Sequence, residues 1–196
     1  MNGYAVVDVE TSGFHPPIGE IVEIAIVHID PTGRLTGSWD SLVQPEGGVG
    51  ATRVHGITPE MVEHAPRFAD IGAELHALLA DRIVAAHNLA FDSKFLVSQF
   101  AEIGVHAPEI AGGVCTLRTA ERLLPGPSYK LLDCCEAVGI ELIDAHSALG
   151  DTLATARLLA YFLQRGVALG GMAVRPPAAV PQPRAEVGGR FLSRSR

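Results

Sequence analysis

The sequence predicts an α/β fold in which helices flank a mixed β-sheet. Three strand-like runs, residues 4–9, 21–29 and 35–43, follow one another with short connections between them. From residue 58 onward the apolar residues recur at helical spacing instead, and a short apolar run at 82–86 separates two of the helical segments. Strands first, followed by strands that alternate with helices, indicate a mixed sheet covered by helices.

The first three strands are expected to form an antiparallel meander. Residues 4–9 are mostly apolar, and Gly13 with the prolines that follow it ends this strand. Residues 21–29, with the sequence IVEIAIVHI, are rich in β-branched side chains. The turn residues Pro-Thr-Gly, ending at Gly33, lead into the third strand at 35–43. Short connections of this kind join antiparallel strands.

Most of the remaining chain is predicted to be helical. Thr58 and Pro59 are residue types that favour the N-cap and the first position of a helix. Apolar residues at helical spacing continue from there: Phe68, Ile71, Leu75, Leu78 and Leu79. After the short strand at 82–86, further helices are expected at 90–103, at 131–138 and from residue 146 or 147 to 164.

The composition excludes several classes of protein. With 47% hydrophobic and 19% charged residues, the chain is globular and not wholly disordered. It has no apolar run of about 18 residues that could cross a membrane. Its start, MNGYAVVDVE, lacks the basic segment of a secretory signal, so we expect a cytoplasmic protein without a membrane partner. Three cysteines without zinc-like spacing argue against a disulfide framework and a structural zinc site.

One folded domain, residues 1–169, is expected to precede a tail at 170–196. The tail is rich in glycine, proline and arginine and has no periodicity, so we expect it to be disordered or a linker. The net charge is −7, and nearly all of the acidic residues lie in the domain. An acidic domain argues against binding nucleic acid through a broad basic face, but it is compatible with a site where metal ions supply the positive charge.

Two acidic residues lie at the end of the first strand. Because strand side chains alternate, Asp8 and Glu10 point to the same face and their carboxylates are close together. Two ionised carboxylates at a partly buried site repel each other unless a cation lies between them, and Mg²⁺ prefers such oxygen ligands. Taken alone, however, an Asp-x-Glu pair is better explained as two acids on a solvated sheet face.

Two further polar segments are predicted at helix starts. Asn88 and Asp92 follow the strand at 82–86, where α/β sheets place ligand sites, although helix capping explains them better when they are taken alone. His146 and Asp151 are five residues apart, about 500° of helix, so they share a face only if His146 precedes the helix. We therefore place His146 on the loop before the last helix, where it can act as a general base.

In combination these segments resemble the DEDDh class of 3′→5′ exonucleases, which is named for its Asp, Glu, Asp, Asp and His residues. Three motifs carry the resemblance in chain order: Asp8-Val9-Glu10-Thr11-Ser12-Gly13, His87-Asn88-x-x-Phe91-Asp92 and His146-x-x-x-x-Asp151. A fourth segment, Val54-His55-Gly56-Ile57-Thr58, is similar to a nucleotide-contacting segment of the branch that includes the proofreading epsilon subunit of bacterial DNA polymerase III. The resemblance covers residues 3–166.

This resemblance implies an RNase H-like fold with a mixed five-stranded sheet, and a hydrolase that uses two divalent metal ions, Mg²⁺ or Mn²⁺. It implies that Asp8 bridges both metals, that Glu10 and Asp151 complete one site, and that Asp92 holds the second metal partly through water. It assigns to His146 the removal of a proton from the attacking water. Two metals roughly 4 Å apart stabilise both the attacking and the leaving oxygen, and their charge offsets the four carboxylates.

Substrate contacts follow from the same resemblance. Thr11, Ser12 and Gly13 are expected to approach the 3′-terminal nucleotide, with the glycine permitting the close approach. Stacking or wedging against the terminal bases is expected of Phe14, His55 and Ile57, although packing explains Phe14 equally well. Asn88 is also assigned to the substrate site. By contrast, core positions are expected for Phe91, Phe95, Cys134 and Cys135.

The resemblance therefore implies hydrolysis of single-stranded or frayed DNA from the 3′ end, with release of 5′-mononucleotides, in proofreading or repair. An exoribonuclease of the oligoribonuclease or RNase T branch is the alternative, because that branch shares all five catalytic residues. The Val-His-Gly-Ile segment favours the epsilon-like branch. A non-catalytic scaffold subunit is disfavoured by the complete set of five residues. If a polymerase subunit binds this chain, the tail at 170–196 is the expected contact.

Overall fold

A six-stranded mixed sheet organises the computed structural model, which describes residues 2–144, 146–171, 174 and 192–193. The sheet order is β5-β4-β1-β2-β3-β6. The strands are β1 (Tyr4–Thr11), β2 (Ile21–Ile29), β3 (Leu35–Leu42), β4 (Ile83–Ala86), β5 (Val114–Cys115) and β6 (Leu192–Ser193). β1, β2 and β3 pair antiparallel as predicted, whereas β4 pairs parallel to β1 and to β5. The predicted mixed five-stranded sheet is confirmed, and β6 adds a short sixth strand on β3.

Helices cover both faces of this sheet. They are α1 (Thr52–His55), α2 (Pro59–Val62), α3 (Phe68–Leu79), α4 (Leu89–Glu102), α5 (Thr116–Leu123), α6 (Leu131–Ala137) and α7 (Ala148–Gln164), with a 3₁₀ helix at Pro108–Gly112. None of the helices in the described ranges is both long and apolar enough to cross a membrane.

The two faces of β1 pack against different helices. Ala5, Val7 and Val9 belong to the larger apolar cluster, which includes buried residues of α3 and α4. Tyr4 and Val6 point the other way, into a cluster with Ala156 and Leu159 of α7. By strand alternation Asp8 and Glu10 continue this second face, so they lie on the side of the sheet that α7 covers.

One predicted helix is divided in the structure. The helix that begins at Pro59 ends at Val62, and a separate helix, α3, begins at Phe68. Pro66 lies between them, and a proline disfavours helical geometry in the residue before it. The prediction from helical spacing alone therefore merged α2 and α3 into one helix. The other predicted helices and strands agree with the structure to within one or two residues, whereas the short β5 and α5 were not predicted.

Part of the predicted tail contacts the domain. Val174 is buried in the larger cluster, its N–H donates to the Arg82 carbonyl at 2.9 Å, and its carbonyl accepts from the Asp81 N–H at 2.9 Å. Leu192 and Ser193 pair with Ser38 and Gly37 at the edge of β3. Most of the remaining predicted tail, at 172–173, 175–191 and 194–196, lies outside the described residues.

Candidate active site

Three of the predicted carboxylates converge at the end of β1. One oxygen from each of Asp8, Glu10 and Asp151 lies within 4.8 Å of the others. Asp8 and Glu10 point toward α7 from the sheet, and Asp151 is in the first turn of α7. The fold therefore brings residues about 140 positions apart in the chain into one acidic group.

Asp92 approaches the same strand from α4. Its side chain is 3% exposed, and Oδ1 accepts a hydrogen bond from the Val9 N–H at 3.3 Å. Asp92 is outside the group of three, but its charge raises the pKa of Asp8, so the two carboxylates are near each other. All four predicted acids thus lie around the end of β1.

The structure places His146 on the loop before α7, as helical geometry predicted. His146 is exposed and has a φ of 69°, in the left-handed region. Its backbone N–H donates to Asp151, and this hydrogen bond together with the imidazole's charge lowers the Asp151 pKa. Burial has the larger effect and raises that pKa overall. His146 and Asp151 are therefore linked through the first turn of α7.

Gly150 allows the loop that carries His146 to pack closely against α7. A Cβ at residue 150 would lie 2.6 Å from the Ile143 carbonyl oxygen and closer still to that of Asp144, so the loop can rest on α7 only because residue 150 has no side chain. The Gly150 N–H donates to Ser147 Oγ at 3.1 Å, which caps the helix. Gly150 is one of the unspecified positions of the motif His146-x-x-x-x-Asp151, so the sequence analysis gave it no role.

Burial and mutual repulsion make the acidic group unfavourable when all of it is ionised. Burial raises the pKa of Asp8 well above its ordinary value, and the charges of the neighbouring acids raise it further. Burial, with the charges of Glu23 and Asp151, raises the pKa of Glu10 to about 7. Burial also raises the pKa of Asp92 to about 8. A cation among these oxygens would remove the repulsion.

The donor set fits a divalent metal ion. Asp151 Oδ1 is buried, and no hydrogen-bond partner for it is found among the described residues. An unpartnered oxygen on a member of a group of three carboxylates suits a hard cation such as Mg²⁺. Asp8, Glu10 and Asp151 could therefore hold one ion, with Asp92 beside them for a second.

The pKa of Asp92 predicts how the metal-free protein responds to pH. The folded state holds the Asp92 proton up to about pH 8, whereas the pKa of an ordinary aspartate is 3.8. Between these values Asp92 keeps a proton in the folded state that it loses in the unfolded chain, so its contribution to the free energy of unfolding falls as the pH rises from about 4 to 8. In EDTA, we expect Asp92→Asn to flatten this decline and to raise the thermal midpoint at pH 8. Thermal melts from pH 4 to 8 test this, and equal slopes for both proteins would contradict it.

The residues after Glu10 build a tight loop. Thr11 Oγ1 donates to the Gly13 carbonyl at 2.8 Å, and Ser12 Oγ accepts from the Glu20 N–H at 2.9 Å. Gly13 packs against Gly19, since a Cβ on Gly19 would lie 2.9 Å from the Gly13 Cα. In this structure the group that lies close to Gly13 is therefore Gly19, another residue of the same loop. Contact of Thr11, Ser12 and Gly13 with a nucleotide stays a prediction.

Phe14 and Ile18 project from this loop. Their residues are 74% and 91% exposed, so Phe14 is not part of the core. Lys94 Nζ donates to the Phe14 carbonyl at 2.6 Å and lies 4.5 Å from the centre of the Phe91 ring. Burial raises the Asp92 pKa and the charge of Lys94 partly offsets that rise, so Lys94 fastens the loop near Asp92, with an apolar rim open to solvent.

The other predicted substrate residues are placed differently. Ile57 is packed with Val22, Val49 and Val62, and His55 is buried with its Nδ1 accepting from the Ile57 N–H at 3.0 Å. Neither side chain offers a free surface to a base in this structure. Asn88 is exposed, has a φ of 75° and lies at the N-cap position of α4 as predicted, but its side chain makes no capping hydrogen bond. Base contacts by these residues remain predictions.

The expectations for core residues are confirmed. Phe95 is fully buried, Phe91 packs against the same cluster, and Cys134 and Cys135 are buried in α6. All three cysteines are free thiols. His87, in the second motif, is held by hydrogen bonds between its ring nitrogens and two groups, Thr116 Oγ1 and the Tyr129 carbonyl, both at 2.9 Å, and so has a structural position.

Sequence reasoning missed Glu23. This residue of β2 lies directly opposite Glu10 in the β1–β2 register, and its carboxylate Oε2 accepts from the Ala148 N–H at 3.0 Å. The available signal was a single acid within the strand IVEIAIVHI, which is apolar apart from Glu23 and His28.

Comparison with known proteins identifies the family that this arrangement matches. The model of a family described as exonuclease matches residues 5–159. A DNA polymerase III subunit epsilon-like protein of Rhodobacter capsulatus is 36% identical over 84% of this chain and 25% of the relative. A PolC-type DNA polymerase III of Oceanobacillus iheyensis is 34% identical over 83% of this chain and 11% of the relative. The chain therefore spans a quarter or less of these relatives.

Solved structures share the fold. E. coli exonuclease I in complex with a dT13 oligonucleotide superposes with a TM-score of 0.72 at 22% identity, over 83% of this chain and 41% of that one. A 3′-exonuclease that recognises the histone mRNA stem-loop gives 0.73 at 19% identity, over 89% and 74%.

Proposed function

This chain belongs to the exonuclease family, and from that membership we propose that it is a metal-dependent 3′→5′ exonuclease acting on single-stranded or frayed DNA ends. The observation that carries the proposal is the convergence of Asp8, Glu10 and Asp151 within 4.8 Å, with Asp92 beside them and His146 on the adjoining loop. A phosphodiester carries negative charge, so a site made of carboxylates can bind it only with cations present.

We propose the following roles for the site residues. Asp8, Glu10, Asp92 and Asp151 would hold two divalent ions, Mg²⁺ or Mn²⁺, which supply charge stabilisation for the attacking and leaving oxygens. His146 would accept the proton of the attacking water, because it is exposed and is carried next to Asp151 by the loop. The 3′-terminal nucleotide would leave as a 5′-mononucleotide.

The rim of the site suits a substrate that is bound without reading its sequence. Phe14 is exposed on the loop beside the acidic group and offers a ring on which any base can stack. Lys94 would hold this loop in place through the Phe14 carbonyl. We assign base stacking to Phe14 first, since its side chain is accessible whereas those of His55 and Ile57 are buried.

Proofreading or repair is the proposed setting. Relatives that match most of this chain are named as epsilon-like and PolC-type DNA polymerase III proteins, and this supports DNA as the substrate. A polymerase subunit that binds the tail at 170–196 and a cytoplasmic location stay predictions.

A time course on 5′-labelled single-stranded DNA and RNA of the same sequence tests the function. With Mg²⁺ or Mn²⁺ we expect the DNA to shorten step by step into a ladder, and we expect EDTA to abolish the ladder. Immediate release of the labelled end nucleotide would indicate 5′→3′ polarity and contradict the proposal. A ladder mainly on RNA would move the substrate to RNA, since a site closed around the sugar distinguishes the two through the 2′-hydroxyl. No cleavage of either by the folded protein with metal would also contradict it.

A further inference from the structure

We propose that Glu23 is a positioning residue that fastens the first turn of α7 to the sheet and thereby places Asp151 and His146 for the reaction. The proposal rests on the exonuclease activity proposed above. It starts from one long-range contact: Glu23 Oε2, on the central strand β2, accepts a hydrogen bond from the backbone N–H of Ala148 at 3.0 Å.

Ala148 is the first residue of α7, so this contact acts at the helix end that carries the site. The first N–H groups of a helix have no partner within the helix, and each needs an acceptor from elsewhere. Ser147 supplies one locally, through its Oγ and the Gly150 N–H. Glu23 supplies another from the sheet. A local cap stabilises the turn itself, whereas an acceptor on β2 also fixes where the turn lies relative to β1.

Both functional groups of this region are within three residues of the contact. His146 precedes Ala148 by two residues and Asp151 follows it by three. Asp151 joins two carboxylates of β1, and Glu23 lies opposite one of them, Glu10. A displacement of the first turn by an ångström would therefore move His146 and Asp151 together, relative to groups that the sheet holds still.

The charge of Glu23 is unfavourable for the neighbouring acids, so Glu23 is not explained by a gain in stability. Its charge raises the pKa of Glu10 and of Asp8, so its presence makes the acidic group less favourable. Yet Glu23 is outside the group of three carboxylates that could share an ion. Glu23 thus adds repulsion to the acidic group without belonging to the three carboxylates that could share an ion. The hydrogen bond that it accepts from Ala148 best explains why a carboxylate is present at this position.

Two substitutions at this position separate hydrogen bonding from charge. Glu23→Gln keeps an oxygen that can accept from Ala148 and removes the charge, whereas Glu23→Ala removes both. Asp30→Ala is the matched control, because Asp30 also accepts backbone N–H groups, those of Thr32 and Arg34, but in the exposed turn at the other end of β2. The full chain is used throughout, with kcat and KM measured on 5′-labelled single-stranded DNA and amide hydrogen exchange measured across 147–152.

We expect Glu23→Ala to lower kcat roughly tenfold or more with little change in KM, the magnitude typical of partners that orient ligands. Its amides at the start of α7 should exchange faster. Glu23→Gln should keep most of the activity and the slow exchange, and Asp30→Ala should match the unmodified protein in kcat. An unchanged kcat in Glu23→Ala would overturn the proposal. An equal loss of kcat in Glu23→Gln and Glu23→Ala would also overturn it, because the charge of Glu23 and not its hydrogen bond would then be what the reaction needs. If the unmodified protein cleaves nothing, the proposed function fails, and unchanged exchange in Glu23→Ala would separately refute the anchoring.

Discussion

Asp8→Ala is expected to abolish hydrolysis while leaving a folded protein that melts at a higher temperature in EDTA. Asp8 is the central member of the acidic group: burial raises its pKa most, and the charges of all four neighbouring acids raise it further, namely Asp92, Asp151, Glu10 and Glu23. Removing it would take away the ligand shared by both proposed ions. Metal ions supply several kcal/mol of transition-state stabilisation, so we expect a loss of about 10³-fold or more in rate.

The gain in stability follows from the same charges. In the metal-free protein each remaining acid would lose one repulsive neighbour in a buried setting. Initial rates on single-stranded DNA and thermal melts in EDTA measure the two effects on one preparation. Asp30→Ala serves again as the control, since that carboxylate lies in an exposed turn and should leave the rate as it is. Retained metal-dependent cleavage by Asp8→Ala would refute the site assignment.

His146→Ala is expected to lower kcat by about 10²–10⁴-fold, the usual contribution of a general base, while metal binding changes little. The reason is the placement of His146: it is exposed on the loop and outside the group of three carboxylates that could share an ion. Single-turnover rates in Mg²⁺ and Mn²⁺ binding by calorimetry separate the two properties. His64→Ala, which removes another exposed histidine, is the control.

Added imidazole should restore part of the activity of His146→Ala, because a small base can occupy the space that the side chain leaves. Loss of metal binding in parallel with turnover would show that His146 is a ligand or a structural residue instead of the base.

The parts of the site that could be predicted are those that depend on short stretches of chain. Strand alternation was enough to put Asp8 and Glu10 on one face, and helical rotation was enough to put His146 on the loop before Asp151. Both arguments use only local geometry, which the backbone dictates within a few residues.

What escaped prediction depends on packing between distant segments. The hydrogen bond from Ala148 to Glu23 joins residues 125 positions apart. It depends on the β1–β2 register and on where α7 packs against the sheet. Likewise, His55 and Ile57 are in a segment whose sequence resembles a nucleotide contact, yet both side chains are buried. A motif gives residue identity and order, whereas burial is decided by what packs over it.

Gly150, in the first turn of α7, bears on any attempt to make this protein more heat-resistant. Replacing helical glycines by alanine is a standard route to stability, worth roughly 0.5–1 kcal/mol each, and a sequence-based design protocol would select this position at once. Here the added methyl group would meet the carbonyls of Ile143 and Asp144. The substitution would thus trade a small gain in helix propensity for displacement of the loop that carries His146. The loop can pack against α7 only if residue 150 is glycine, so libraries designed for thermostability should keep this residue unchanged.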